Sequence, residues 1–76
     1  DWISALHKEV ERALSRGEQG IMEELTRQFE KALIARALAH TGGRRIEAAS
    51  LLGLGRNTLT RKIQELGLED RPDKSD

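Results

Sequence analysis

The chain has 76 residues, no cysteine, and 13 basic against 13 acidic side chains. This length is enough for one small domain, and the lack of cysteine excludes disulfides and thiolate metal sites. The longest mostly apolar run, 32–39, is interrupted by Arg36 and is too short to span a bilayer. Because the chain begins with Asp rather than Met and shows no secretory segment, we expect a part of a larger cytoplasmic protein.

The zero net charge argues against a nucleic-acid partner, but the charges are unevenly distributed. Residues 44–62 carry five basic side chains against Glu47 alone, a local net charge of +4. Residues 1–43 have a net charge of −1, and residues 63–76 have a net charge of −3. A local positive patch of this kind is what contact with DNA phosphates requires.

Apolar residues at spacings of three and four predict two amphipathic helices in the first half of the chain. The first helix is predicted from about Trp2 to Ser15, and the second from about Ile21 to His40. Gly42 and Gly43 end the second helix, since glycine adopts the left-handed closing conformation at little cost. We expect one domain over residues 1–68, with residues 1–43 as its dimerisation helices.

Beyond Ala32 the second helix is apolar almost all round. A helix that is apolar on every side is buried on every side, and small domains without disulfides often complete their core by oligomerising. A second copy of the chain is therefore the expected cover, and we expect the core of these helices to lie between two chains. The predicted interface residues are Trp2, Leu6, Val10, Met22, Leu25, Phe29 and Leu33.

Residues 45–64 have the pattern of a helix-turn-helix, whose second helix lies in the DNA major groove. Its helices are predicted from about Arg45 to Leu52 and from about Arg56 to Leu66. The turn contains Gly53 and Gly55, and Gly53 lies where a positive φ is needed. The residues expected to pack the two helices together are Ala48, Ala49, Leu52, Leu54, Leu59, Ile63 and Leu66.

The exposed edge of the fourth helix is polar and basic, and we expect it to contact double-stranded DNA. Arg pairs bidentately with guanine, Asn pairs with adenine, and a Thr methyl contacts the thymine methyl. The predicted base-contacting residues are Arg56, Asn57, Thr60 and Arg61. The predicted phosphate contacts are Thr58, Lys62, Arg44 and Arg45. Taken singly, each of the last two is more simply a solvated charge.

The segment EAASLLGLGRNTLTRKIQELGL, residues 47–68, resembles the C-terminal DNA-binding domain of the NtrC-type, sigma-54-dependent activators. The same domain type is shared with the nucleoid protein Fis. The resemblance covers roughly residues 24–68, and its specific part is GRNTLTRK, residues 55–62. It implies an all-α fold of four helices: the first two form an intertwined four-helix bundle with a second chain, and the last two bind DNA.

The resemblance also implies a partner and a cellular setting. A homodimer would bind twofold-symmetric enhancer sites upstream of nitrogen-regulated promoters, in the cytoplasm and associated with the nucleoid. Receiver and ATPase domains would precede residue 1, and contact with sigma-54 RNA polymerase would belong to them. The family often stops near Leu68, so we expect the tail 69–76 to be disordered and dispensable.

Two alternative functions stay open on the sequence. One is a Fis-like architectural protein that bends DNA with weak sequence preference. The other is a helical dimerisation module that contacts a protein partner. The two histidines are isolated and the carboxylates are scattered, so the chain is not expected to be an enzyme or to hold a metal or cofactor.

Overall fold

The computed structural model describes residues 1–69. Four helices follow one another along the chain: α1 (Trp2–Ser15), α2 (Ile21–His40), α3 (Arg45–Leu52) and α4 (Arg56–Glu65). The predicted all-α, four-helix fold is confirmed, and the first three helices have the predicted bounds. The fourth ends one residue early, because Leu66 is its C-cap and the next residue, Gly67, has a positive φ of 72°. The tail predicted to be disordered lies, from residue 70 on, outside the described residues.

The helix ends depend on signals in the nearby sequence. Asp1 is the N-cap of α1, and its Oδ1 accepts a hydrogen bond from the Ser4 backbone N–H at 2.9 Å. Gly53 closes α3 with a φ of 76°, which lets the Leu54 N–H donate to the Ala49 carbonyl at 2.9 Å. The predicted need for a positive φ at Gly53 is therefore confirmed.

The hydrophobic core lies where α2, α3 and α4 meet. Its buried residues are Ile34, Ala48, Ala49, Leu59, Ile63 and Leu66. Ala48 has no exposed surface and Ala49 has 3%, so both small side chains of α3 lie in the core, as predicted. Leu52 and Leu54 pack on the edge of this core. Within residues 1–69, none of the helices has the length and apolar character needed to cross a membrane.

An open apolar groove lies between α1 and α2. Trp2 and Phe29 stack beside it, with ring centroids 6.2 Å apart and an interplanar angle of 18°. Leu33, one turn beyond Phe29, is 45% exposed. The groove is lined by six of the seven residues predicted at a dimer interface: Trp2, Leu6, Val10, Met22, Leu25 and Phe29.

Within one chain, α2 is not buried on every side beyond Ala32. Ile34 lies in the core, but its neighbours Leu33 and Ala35 are exposed. The physical reason is that α3 and α4 cover α2 from one side, and α1 leaves the other side open. Beyond Ala32, the apolar residues of α2 thus lie in the core on one side of the helix and are exposed to solvent on the other.

Candidate nucleic-acid interface

The orientation of α4 is fixed by two apolar residues that face the core. Leu59 and Ile63 have no exposed surface, and their spacing of four places them on one side of the helix. Successive residues of an α-helix are about 100° apart around its axis. The predicted base-contacting residues therefore fall within an arc of about 140° that leads from the edge of the core side to the opposite, solvent side: Arg56, Thr60, Asn57 and Arg61.

The side chains on this arc are accessible. Arg56, Asn57 and Arg61 are exposed, and Thr60 is half-buried. The Arg61 Nε lies 4.0 Å from a carboxylate oxygen of Glu65, and both side chains are 63% exposed. A pair so long and so solvated is weak, so the Arg61 guanidinium is available to an incoming base.

The start of α4 adds a feature that suits a phosphate. The N-cap residue Gly55 has no side chain to cap the helix, so the first backbone N–H groups carry their partial positive charge unshielded. Gly55 itself has an ordinary φ of −71°, and an added Cβ would meet only Thr58 Oγ1, at 4.0 Å. Of the two predicted turn glycines, only Gly53 has a backbone conformation that favours glycine.

Two of the predicted phosphate contacts lie at the start of α3. Arg44, its N-cap residue, is exposed; its Nε donates to the Thr41 carbonyl at 2.8 Å and lies 3.4 Å from Glu47 Oε1. The buried Thr41 hydroxyl donates to the Arg44 carbonyl at 3.1 Å and so stabilises this turn. Arg45 is half-buried and forms no ion pair with any residue of the described part of the chain.

Lys62 lies away from the base-contacting arc, on the opposite flank of α4, together with the half-buried Thr58. Its Nζ donates to both carboxylate oxygens of Glu30 on α2, at 3.1 and 3.2 Å. The two side chains are only 26% and 32% exposed. The structure therefore connects Lys62 to α2 and separates it from the four residues predicted to contact bases.

Two residues of this site were missed from the sequence. Gln64 is exposed and follows Thr60 by four positions and Arg61 by three, so it shares their face. Its amide has the chemistry that pairs with adenine, and the helical spacing was a signal that could have found it. Glu30 lies 32 positions before Lys62, and no local pattern connects the two.

Comparison with known proteins adds a second line of information. Residues 26–66 match the family "Bacterial regulatory protein, Fis family". The chain is 48% identical over 68 residues, 90% of its length, to the DNA-binding transcriptional regulator NtrC of Klebsiella pneumoniae and to that of Escherichia coli (strain K12). It is 49% identical over 49 residues to NtrC of Rhizobium meliloti, which covers 64% of the chain. No solved structure matches the chain significantly.

These matches cover only a small part of each relative. The chain spans 14% of the length of the Klebsiella and Escherichia proteins and 10% of the Rhizobium protein. The family match contains α3, the glycine turn and α4, together with most of α2. This domain type binds DNA and is not an enzyme. The chain therefore belongs to the Fis family of bacterial regulatory proteins, and its α3–turn–α4 unit is the DNA-binding helix-turn-helix of that family.

Proposed function

We propose that this chain binds twofold-symmetric sites in duplex DNA as a homodimer, as the DNA-binding part of an NtrC-type transcriptional activator. The sites are enhancers of nitrogen-regulated sigma-54 promoters. The observation that carries the proposal is that one small chain combines an exposed basic face on α4 with an open apolar groove between α1 and α2.

The first half of the proposal concerns base recognition by α4, the recognition helix. Arg56, Asn57 and Arg61 are exposed on one arc, and each has a side chain that pairs bidentately with a particular base. Residues 44–62 carry a net charge of +4, which favours approach to a polyanion. Thr58 on α4 and Arg44 and Arg45 at the start of α3 are the candidates for phosphate contacts.

The groove between α1 and α2 supports the proposed dimer. Met22 is 81% exposed and Phe29 is 51% exposed, beside a groove whose lining is mainly apolar. A contiguous apolar surface of this kind marks a site of association with another molecule. A second copy of the chain covers the groove of the first with its own, and two recognition helices then face two half-sites about one helical turn apart.

The activator assignment follows from the relatives. They are named DNA-binding transcriptional regulators, and the chain spans about a seventh of the length of the Klebsiella protein. We infer that this chain serves a longer protein in the same way, in the cytoplasm and on the nucleoid. Receiver and ATPase functions and the contact with sigma-54 RNA polymerase are assigned to other parts of that protein.

The experiment that tests the proposal is selection of bound duplexes from a random pool at moderate salt. We expect a twofold-symmetric consensus whose half-sites are centred about one helical turn apart. A pool without a shared sequence would support a Fis-like architectural protein and contradict the proposal. Absence of binding to any duplex at low salt would instead favour a module that contacts a protein partner.

Arg61→Ala tests the recognition helix directly. A bidentate arginine–base pair is worth about 1–3 kcal/mol and the dimer would lose two, so we expect roughly a thirtyfold or greater loss of affinity for the selected site and a relaxed preference at one position in each half-site. The matched control is Arg12→Ala on α1, which removes a 60% exposed arginine paired with Glu9 at 2.9 Å. Unchanged discrimination between consensus and altered duplexes by the Arg61 variant would contradict the assignment.

A further inference from the structure

The ion pair between Glu30 and Lys62 is unusual within this chain. Among residues 1–69 it is the only side-chain hydrogen-bonded pair whose members lie more than four positions apart. It joins α2 directly to α4, although the extensive packing of the molecule is between α2 and α3 and between α3 and α4. The orientation of α4 relative to α2 thus depends on a shared core and on this one polar contact.

We propose that Glu30 is a positioning residue for DNA binding: by holding Lys62 it fixes the angle between the recognition helix and α2. The angle sets the separation of the two recognition helices in the dimer, and hence the half-site spacing that the dimer accepts. This inference rests on the proposed function, since it requires two chains joined through α1 and α2.

Two faces of α2 have different surroundings. Phe29 lies at the apolar groove, whereas Ile34 lies in the core with α3 and α4. Glu30 is one position after Phe29, about 100° around the helix, and one turn before Ile34 on the same side. Glu30 therefore lies between the surface that pairs the chains and the surface that holds the DNA-binding unit.

The two kinds of contact on this side of α2 act differently. Apolar contacts around Ile34 stabilise the packing of α4 on α2 and are non-directional, whereas the ion pair has fixed partners and adds a polar constraint at a separate point. The Lys62 ammonium lies within 3.2 Å of both Glu30 oxygens, and Glu30 is one helical turn from Ile34. The ion pair is thus a second contact between α2 and α4, separate from the apolar contact at Ile34, and it opposes rotation of α4 about that apolar contact. Because both side chains are about three-quarters buried, this pair is less screened by water than the exposed Arg61–Glu65 pair.

The pair also changes the role of Lys62. An ammonium that donates to both oxygens of one carboxylate is neutralised by it and has little attraction left for a phosphate. The positioning role of Lys62 and the phosphate contact predicted from the sequence therefore predict opposite effects on DNA binding when the Glu30 charge is removed. Removing the Glu30 charge should weaken selective binding if Lys62 positions α4, and should strengthen binding if Lys62 contacts phosphate.

Half-site spacing is the measurement that isolates positioning. One extra base pair moves a half-site by about 3.4 Å and rotates it by about 35°, so a dimer with firmly held recognition helices binds one spacing best. We expect the full chain to show such an optimum and Glu30→Gln to reduce the penalty for one base pair more or less by about fivefold, the size of the contribution of a partly exposed ion pair. Binding to a duplex with a single half-site should change less than twofold. Glu24→Gln is the matched control, since Glu24 is an exposed residue of α2 whose side chain, within residues 1–69, accepts a hydrogen bond from Gln28 alone.

Salt dependence separates the two roles of Lys62. Lys62→Met should flatten the spacing optimum and leave the slope of log affinity against log salt unchanged. If Lys62 contacts a phosphate, the substitution should instead reduce the magnitude of this slope by about 0.9 for each chain. A spacing optimum retained by Glu30→Gln, or tighter binding by that variant, would overturn the inference alone. A wild-type chain that shows no optimum would overturn the proposed function. Thermal unfolding of each variant verifies that it is folded.

Discussion

Gly53 is the residue whose backbone most directly sets the helix-turn-helix. Its φ of 76° lies in the left-handed region that residues with a side chain rarely adopt, and this conformation lets the Leu54 N–H donate a hydrogen bond to the Ala49 carbonyl. Gly55, two positions on, has an extended backbone that any residue adopts. The two glycines of the turn therefore carry different conformational demands, and only that of Gly53 was predicted from its position.

The same substitution at both positions tests this difference. Gly53→Ser forces a side chain into the left-handed region, and we expect it to lower the free energy of unfolding by about 1–2 kcal/mol. Gly55→Ser places a favoured N-cap residue at the start of α4, and we expect a change within about 0.5 kcal/mol or a small gain. Urea unfolding of the two variants measures both values, and equal losses would contradict the role given to Gly53.

At the scale of elements, α2 is the helix that connects the two surfaces of the molecule. One of its sides carries Phe29 and Leu33 at or beside the groove, and another carries Glu30 and Ile34 toward the DNA-binding unit. In the proposed dimer, a change in how the two chains pair along α2 would therefore reach α4 through this one helix.

Phe29→Asp tests the proposed pairing of chains along α2. A carboxylate placed in the apolar interface stays charged only at a high desolvation cost, so we expect the chains to separate. Separate chains bind half-sites independently, which lowers the affinity for a full site by about a hundredfold or more. Lys31→Asp is the control, because residue 31 is exposed and lies about 200° around α2 from Phe29. Sedimentation measures the mass of each variant, and a Phe29→Asp dimer as stable as wild type would contradict the bundle.

The helix bounds could be predicted from the sequence because their signals are local. Asp1, Gly53 and Gly67 each mark a helix end within a few residues. The exposed arc of α4 followed equally from the spacing of Leu59 and Ile63. The position of Lys62 could not be predicted in this way, since its partner is 32 positions away and only the packing of α3 between α2 and α4 brings them together. The openness of the α1–α2 groove likewise depends on tertiary geometry.

At the scale of the whole molecule, charge is separated along a chain that is neutral overall. The positive segment 44–62 covers α3, the turn and most of α4, and every acidic side chain except Glu47 lies outside it. Long-range attraction between the whole chain and DNA is therefore small, and affinity depends on close contacts that displace counterions.

Salt titration tests the phosphate contacts proposed for the start of α3. If Arg44 and Arg45 each contact one phosphate, a dimer neutralises four, and log affinity should fall with log salt with a slope of about −3.6. Arg45→Ala should reduce the slope by about 1.8, two contacts per dimer. Arg16→Ala is the control, because Arg16 pairs with Glu18 at 2.7 Å at the end of α1. Equal slopes for wild type and Arg45→Ala would contradict a phosphate contact by Arg45.

The stack of Trp2 on Phe29 has an optical consequence. Trp2 is the only tryptophan of the chain, which has no tyrosine, and it is 64% exposed beside the groove. Its indole emission thus originates from one place and shifts to shorter wavelength when water is excluded from that place. If a second chain covers the groove as proposed, Trp2 reports that pairing from α1, a helix separate from the residues proposed to contact DNA. Dissociation of the proposed dimer is therefore expected to shift this emission, which can be measured without a label.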